Sequence, residues 1–228
     1  MNKNILDKIK CDDKDCFKDN FFTNSLLSNT AHASYDCLAI EQNPNFIFYF
    51  DKLFKENTPN QIVEIGTYHG GMTKAIRDIA IQYNSDVNIF TFDPKEPEYL
   101  LQHKDILEIN IYIQNLFSGD YSDFADNATK NLATKLIQKN GRTYVLCDGG
   151  CKSCEFNLLA PLLKHGDIIM LHDYAESAEI FKKQILNKCW NWLEVQHEDI
   201  INCCNEFSLQ SLKNFETEKV GWGCFQKS

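Results

Sequence analysis

The chain has 228 residues, 43% apolar and 12% aromatic, enough for one substantial domain with a buried core or for one domain and a small appendage. A net charge of -9, with Lys and Arg dispersed and no basic run longer than Lys182-Lys183, argues against a phosphate-backbone binder, so no nucleic acid is expected as a partner. No apolar run approaches a membrane span and the N-terminus MNKNILDKIKCDDKDCFKDN is no secretory signal, so no membrane partner is expected and a cytoplasmic location is.

In such a compartment the ten scattered cysteines are expected as free thiols. Residues 1–43 carry no clear period; FFTNSLLSNTAHASYDCLA is expected to form short helices, with His32 a candidate to reach over a site. Asn43-Pro44 has the form of an N-cap followed by a first-turn proline. Phe46, Phe50, Leu53 and Phe54 then recur at helical spacing up to Thr58-Pro59.

QIVEIG suits a buried parallel strand, and a helix follows from about Met72, with Met72, Ile76, Ile79 and Tyr83 on one face. VNIFTFD and INIYIQNLF are expected as the next strands, then a helix over 127–139 marked by Leu132, Leu136 and Ile137, and TYVLCD as a fourth strand. Ser153 is expected to cap a helix bearing Phe156, Leu159 and Leu163, disturbed at Pro161 and ended by Gly166.

DIIMLHD is the fifth strand and Ser177 opens a helix to about Cys189. WLEVQHEDI and KVGWGCFQK are strand-like, joined by a long polar connection. Strands separated by helices pair in parallel through right-handed crossovers. The expected fold is therefore α/β: a doubly wound, Rossmann-like, mostly parallel seven-stranded sheet with a C-terminal antiparallel hairpin. Residues 1–58 form a helical extension or substrate-side cap, and 59–228 the main domain.

Ligands of such a sheet bind beyond the carboxyl ends of its strands. There VEIGTYHGGMT places Glu64, Gly66 and Gly70 in an acid-x-Gly-x-x-x-Gly pattern that lacks the second glycine of a dinucleotide turn. A carboxylate would repel a diphosphate but accept hydrogen bonds from an ammonium group, which favours a cationic nucleoside over NAD. Asp93, ending TFDP, stands where a carboxylate can hold both hydroxyls of a ribose. The plain alternatives are a strand-end acid for Glu64 and a turn former before Pro94 for Asp93.

CDGGCKSC (147–154) has the Cys-x-x-x-Cys-x-x-Cys spacing of a radical iron-sulfur cluster loop, but too little chain follows it to complete a barrel, and Cys147 lies within a strand. Zinc on Cys151, Cys154 and the Cys203-Cys204 pair is a second option; free thiols are the plainer one.

VEIGTYHGG followed by TFD resembles the class I S-adenosylmethionine-dependent methyltransferases, over residues from about 60 to 228. LCDGG paired with LLKHGDIIMLHDY is similar to the cephalosporin-hydroxylase-like and macrocin O-methyltransferase type, many of which modify sugar hydroxyls. The catechol O-methyltransferase type has a related placement of acids. The resemblance implies that Gly66, Thr67, Tyr68, His69 and Gly70 line the cofactor with Glu64 and Asp148 beside them, that Asp93 holds the ribose, and that Leu116 and Phe117 flank the adenine. It implies Asp148 and Asp173 as magnesium ligands.

A histidine often found three positions after the fourth-strand aspartate is Cys151 here, which leaves Lys152 and His172, with Asp148, as the catalytic candidates. Tyr174 stands where the catechol type has a metal-site amide. The implied reaction is O-methylation of a sugar or other small hydroxylated acceptor, with a divalent cation lowering the hydroxyl pKa. A metal-independent methyltransferase on another nucleophile, or an inactive nucleotide-binding or scaffold protein, are the alternatives. A homo-oligomer stays open.

Overall fold

A computed structural model of the protein describes residues 3–11, 33–95, 109–188 and 190–228. Its centre is a seven-stranded sheet built from β4 (Gln61–Ile65), β5 (Asn88–Asp93), β6 (Asn110–Ile113), β7 (Thr143–Cys147), β8 (Ile168–Leu171), β11 (Leu209–Ser211) and β12 (Gly223–Lys227), in the order β11-β12-β8-β7-β4-β5-β6. Only β12 runs against the others, pairing antiparallel with both β8 and β11. β4 is the pivot: β5 and β6 extend from one side of it, β7 and β8 from the other. The crevice at the carboxyl ends of β4 and β7 is thus the topological switch point.

Burial explains the strands. β4, β7 and β8 are buried along their whole length, as strands covered on both faces must be, and their residues divide between two cores. Ile62, Tyr144 and Met170 face α2 (Phe46–Glu56) and α3 (Gly71–Ala80). Val63, Val145 and Ile169 face the side occupied by α4 (Asn127–Ile137), α5 (Lys152–Leu159) and α7 (His197–Glu206). Along α2, Phe46, Phe50 and Phe54 stack edge to face at 5.7 and 5.6 Å. Phe50 meets Trp222 at 5.7 Å and Phe54 meets Tyr144 at 5.0 Å.

The N-terminal segment departs from the helical expectation. After α1 (Lys3–Leu6), strands β1 (Ile9–Cys11), β2 (Ala33–Tyr35) and β3 (Leu38–Ile40) form a small antiparallel sheet. It lies so close to α3 that a Cβ on Gly71 would stand 2.3 Å from the Ala39 carbonyl oxygen. Alternating burial in Ala33–Tyr35 and Leu38–Ile40 fits strands; residues 21–32, His32 included, lie outside the described residues. Asp78 on α3 ties the two parts together by accepting hydrogen bonds from Tyr35 Oη at 2.9 Å and from the ammonium of Lys8.

Element boundaries differ at five further places. α2 starts at Phe46 with Asn45 as N-cap, because Asn43 Oδ1 instead accepts the Asn45 N–H at 2.9 Å and turns the chain before the helix. α5 is capped by Cys151, not Ser153. The helix after Ser177 is α6 (Ala178–Ile180) followed by a π turn that ends at Ile185, short of Cys189.

WLEVQHEDI supplies only the two-residue β10 (Val195–Gln196), parallel to β9 (Tyr174–Ala175), and then turns into α7. Asp199 accepts the Gln196 N–H at 2.7 Å in a capping box that starts this helix, and Ile200, Cys203 and Cys204 form its buried face. The C-terminal hairpin therefore pairs β12 with β11, which lies inside the expected polar connection.

Candidate active site

The loop between β4 and α3 is shaped by backbone that few residues can adopt. Gly66 has φ +92° and donates its N–H to the Phe92 carbonyl at 2.8 Å. A Cβ there would fall 2.3 Å from the Asp148 carbonyl oxygen, so the loop passes in contact with the end of β7. Gly70, at φ +78°, is the N-cap of α3. Between them Tyr68 also has positive φ and donates its N–H to Asp93 Oδ2 at 2.9 Å, while Asp93 Oδ1 accepts the Lys95 N–H at 2.9 Å. A carboxylate has about four lone-pair positions, so Asp93 keeps acceptor capacity for a further ligand.

Glu64 lies beneath this loop. It is 2% exposed, and its Oε2 accepts the hydroxyls of Thr73 at 2.6 Å and Thr91 at 2.7 Å. Burial pushes its pKa up to about 7 against the pull of those two bonds. It ties α3 to β5 beneath the loop and is absent from the cavity wall.

A cavity of about 770 Å³ opens above the loop. Gly66, Thr67, Tyr68, His69 and Gly70 line it, and Asp148, Lys152, His172 and Asp173 line it too, so the structure brings most of the expected site residues together. Asp148 is placed by its own N–H, which donates to the Ile65 carbonyl at 3.0 Å across the switch point. The loop after it is held by Glu155, whose two oxygens accept the N–H groups of Gly149 and Cys151 at 3.1 and 3.2 Å; burial raises this carboxyl to about 7 as well.

Lys152 opens α5 and is 7% exposed; its Nζ lies 3.0 Å from Asp173 Oδ2 and 2.8 Å from Glu194 Oε2. Burial alone would lower the pKa of this ammonium, but the Asp173 and Glu194 carboxylates raise it above the ordinary lysine value. It is therefore a fixed cation and no general base near neutral pH.

At the far end, Asp148 Oδ1 lies 3.1 Å from His172 Nδ1, and Asp148 Oδ2 accepts the Gln42 amide at 2.7 Å. Trp222 Nε1 donates to Gln42 Oε1 at 3.1 Å, so the amide must point its NH2 toward Asp148. Asp173, at φ +55°, accepts the Trp190 indole N–H. Burial holds the Asp148 carboxyl above the usual carboxylate range, only partly offset by His172 and Lys152. Asp173 is also penalised by burial, yet His172, Lys152 and Trp190 together bring it below that range. His172 is 2% exposed, lies between Trp190 and Trp222, and its Nε2 has no hydrogen-bond partner among the described residues.

Asp148, His172 and Asp173 are the one group among the described residues with metal-ligand spacing, their ligand atoms all within 4.8 Å of one another. Each of the four carboxylate oxygens nevertheless has a protein donor or the His172 ring nitrogen against it: His172 and Gln42 for Asp148, Trp190 and Lys152 for Asp173. Each oxygen keeps a second lone pair, but the ammonium already paired with Asp173 Oδ2 opposes a divalent cation at that carboxylate.

Other expected residues sit elsewhere. Leu116 and Phe117 are buried, with Phe117 packed on Tyr121 and Phe124 and outside the cavity wall. The Tyr174 hydroxyl faces His197 at 3.3 Å and completes no metal site. Cys151 and Cys154 are disulfide-bonded, against the expectation of free thiols, because the first turn of α5 brings their Cα atoms to 5.3 Å. Cys147, Cys203 and Cys204 remain buried thiols. With two sulfurs joined and Cys147 within β7, the octet holds neither an iron-sulfur cluster nor zinc.

The sequence reading missed Gln42, Trp190, Trp192, Glu194 and Trp222. The available signal was the Trp190-x-Trp192 pair and the single Trp222, the three tryptophans of the chain, all in its C-terminal region; nothing local marks Gln42.

No family model and no curated protein matches the chain. Among solved structures it is similar to CmcI-N160 in the apo state, with 15% identity and a TM-score of 0.58 over 85% of this chain and 75% of that one. It is also similar to CmcI-D160 with Mg and SAM, with 16% identity and a TM-score of 0.56 over 86% of this chain and 76% of that one. Taken with the strand order and the cavity at its switch point, these likenesses show that the chain has the fold of the class I S-adenosylmethionine-dependent methyltransferases.

Proposed function

We propose that the protein is an S-adenosylmethionine-dependent methyltransferase acting on a hydroxyl of a small acceptor, a sugar or similar polyhydroxylated molecule. One observation carries the reading: a single cavity at the switch point is bounded at one side by the glycine loop and at the other by the Asp148, Lys152, His172 and Asp173 cluster. Asp93 stands behind that loop. S-adenosylmethionine supplies an electrophilic methyl group on a sulfonium. The loop from Gly66 to Gly70 offers the close backbone approach such a nucleoside needs, and Asp93 has acceptor positions to spare for its ribose hydroxyls.

Asp148 is the base in this reading. Its pKa lies above the usual carboxylate range, which moves it toward the working pH, and it faces the cavity at the end of a rigid strand. His172 orients it from behind. Tyr68 and Trp192, 50% and 45% exposed at the cavity, present flat apolar faces on which a sugar ring can stack. Ile40, Glu41 and Gln42 reach the same wall, which supports the role of residues 1–58 as a substrate-side cap.

The test is incubation with methyl-labelled S-adenosylmethionine and a panel of sugars, polyols and phenols, with products identified by NMR. A labelled methyl ether is expected, and Asp148→Asn should lower kcat by about a hundredfold or more, in the range of general-base removal. Label found only on amines would overturn the assignment to oxygen.

A further inference from the structure

We infer that the cation serving the acceptor end of this cavity is the ammonium of Lys152, and that the acceptor is activated here without a divalent metal. The inference rests on the methyl-transfer reading above and adds the source of positive charge. A divalent ion is held by carboxylate oxygens that converge on it, and a second cation among those oxygens weakens the attraction. Here each oxygen of Asp148 and Asp173 has one protein nitrogen against it and a second lone pair to spare, and at Asp173 Oδ2 that nitrogen is the Lys152 ammonium, so a cation is already built into the cluster.

Those partners are not free to turn away. An indole N–H only donates, so Trp222 locks the Gln42 oxygen and thereby directs its NH2 at Asp148. Trp190 is 6% exposed, packs on His172, and would be 3.1 Å from any Cβ on Gly221. Lys152 is fixed at the first turn of α5, inside the ring closed by the Cys151–Cys154 disulfide, and its head group bridges Asp173 and Glu194. A divalent ion bound to Asp173 Oδ2 would lie beside an ammonium already 3.0 Å from that oxygen, and like charges at such range repel strongly.

The ammonium can do the electrostatic work itself. Of its three donors two are taken by Asp173 and Glu194, and the third reaches the Gly149 carbonyl only at 3.5 Å. That donor can turn to an acceptor oxygen in the cavity and stabilise the negative charge that develops on it as its O–H proton passes to Asp148; the oxygen then bonds to the methyl carbon while the S–CH3 bond breaks, its electron pair going to sulfur to leave S-adenosylhomocysteine.

The experiment titrates the purified full chain with Mn2+ alone, read by electron paramagnetic resonance and calorimetry, beside Lys152→Met and Trp190→Phe. The wild type should bind Mn2+ no more tightly than millimolar, and Lys152→Met at least about tenfold more tightly. One Mn2+ per wild-type chain at micromolar affinity, lost in Asp173→Asn, would overturn the inference. So would a Lys152→Met chain that binds no better than wild type. If Lys152→Met fails to fold, the wild-type titration decides with Trp190→Phe, which opens Asp173 Oδ1 and should also gain affinity. S-adenosylhomocysteine titrated in parallel separates the two readings: its failure to bind counts against methyl transfer, whereas the Mn2+ result bears on Lys152.

Discussion

A methyl group on Gly66 would stand 2.3 Å from backbone oxygen, in a conformation that L side chains rarely adopt. Gly66→Ala is expected to destabilise the fold by about 1–3 kcal/mol, measured by urea melting, and to weaken S-adenosylhomocysteine binding, because the loop must retreat from Asp148. Glu64 gives a different prediction. Its pKa rises from 4.5 to about 7 on folding, so the unfolded chain releases this proton first as pH climbs. The stabilisation from the protonated form is complete below pH 4.5 and is lost as pH rises through about 7. Urea melts should show stability falling across that window, and Glu64→Gln should remove on the order of 3 kcal/mol from the total fall. Glu155 contributes with the same sign. The sequence placed Glu64 at the right strand end but assigned it to the cofactor; that its carboxyl turns inward to Thr73 and Thr91 depends on χ angles that no spacing encodes.

The elements legible from sequence were those with a long, unambiguous period. β4, β7 and β8 are β-branched or apolar runs buried end to end, and α3 and α4 repeat apolar residues every three to four positions, so each pattern admits one reading. WLEVQHEDI fails for the opposite reason: nine residues with apolar positions at both spacings fit strand or helix, and the Gln196–Asp199 capping box decides between them. β11 is three residues long with only Leu209 buried, too short to stand out. Of the helices, α2 is the most exacting in its packing, since the Phe50 ring meets Phe46, Phe54 and Trp222 together. Phe50→Ala is expected to cost about 3–5 kcal/mol, read as a fall in the urea midpoint at unchanged slope.

Across the whole molecule, the site draws on five separated stretches: Gln42, the Gly66–Gly70 loop, Asp148–Lys152, His172–Asp173 and Trp190–Glu194. Three of these follow strands of a parallel sheet, and their place in the fold could be deduced because ligands gather at the carboxyl ends. The other two arrive by loops folding back over the crevice, which requires knowing the tertiary packing. Among the described residues no helix is long and apolar enough to cross a membrane.

Whether this crevice holds a sulfonium nucleoside is answered by calorimetric titration with S-adenosylhomocysteine. The wild type is predicted to bind one equivalent at micromolar affinity, and Asp93→Ala at least about tenfold more weakly, the loss of a charge-assisted pair of hydrogen bonds to the ribose. Folded wild-type protein that takes up no S-adenosylhomocysteine, or Asp93→Ala that binds it equally well, would contradict the account.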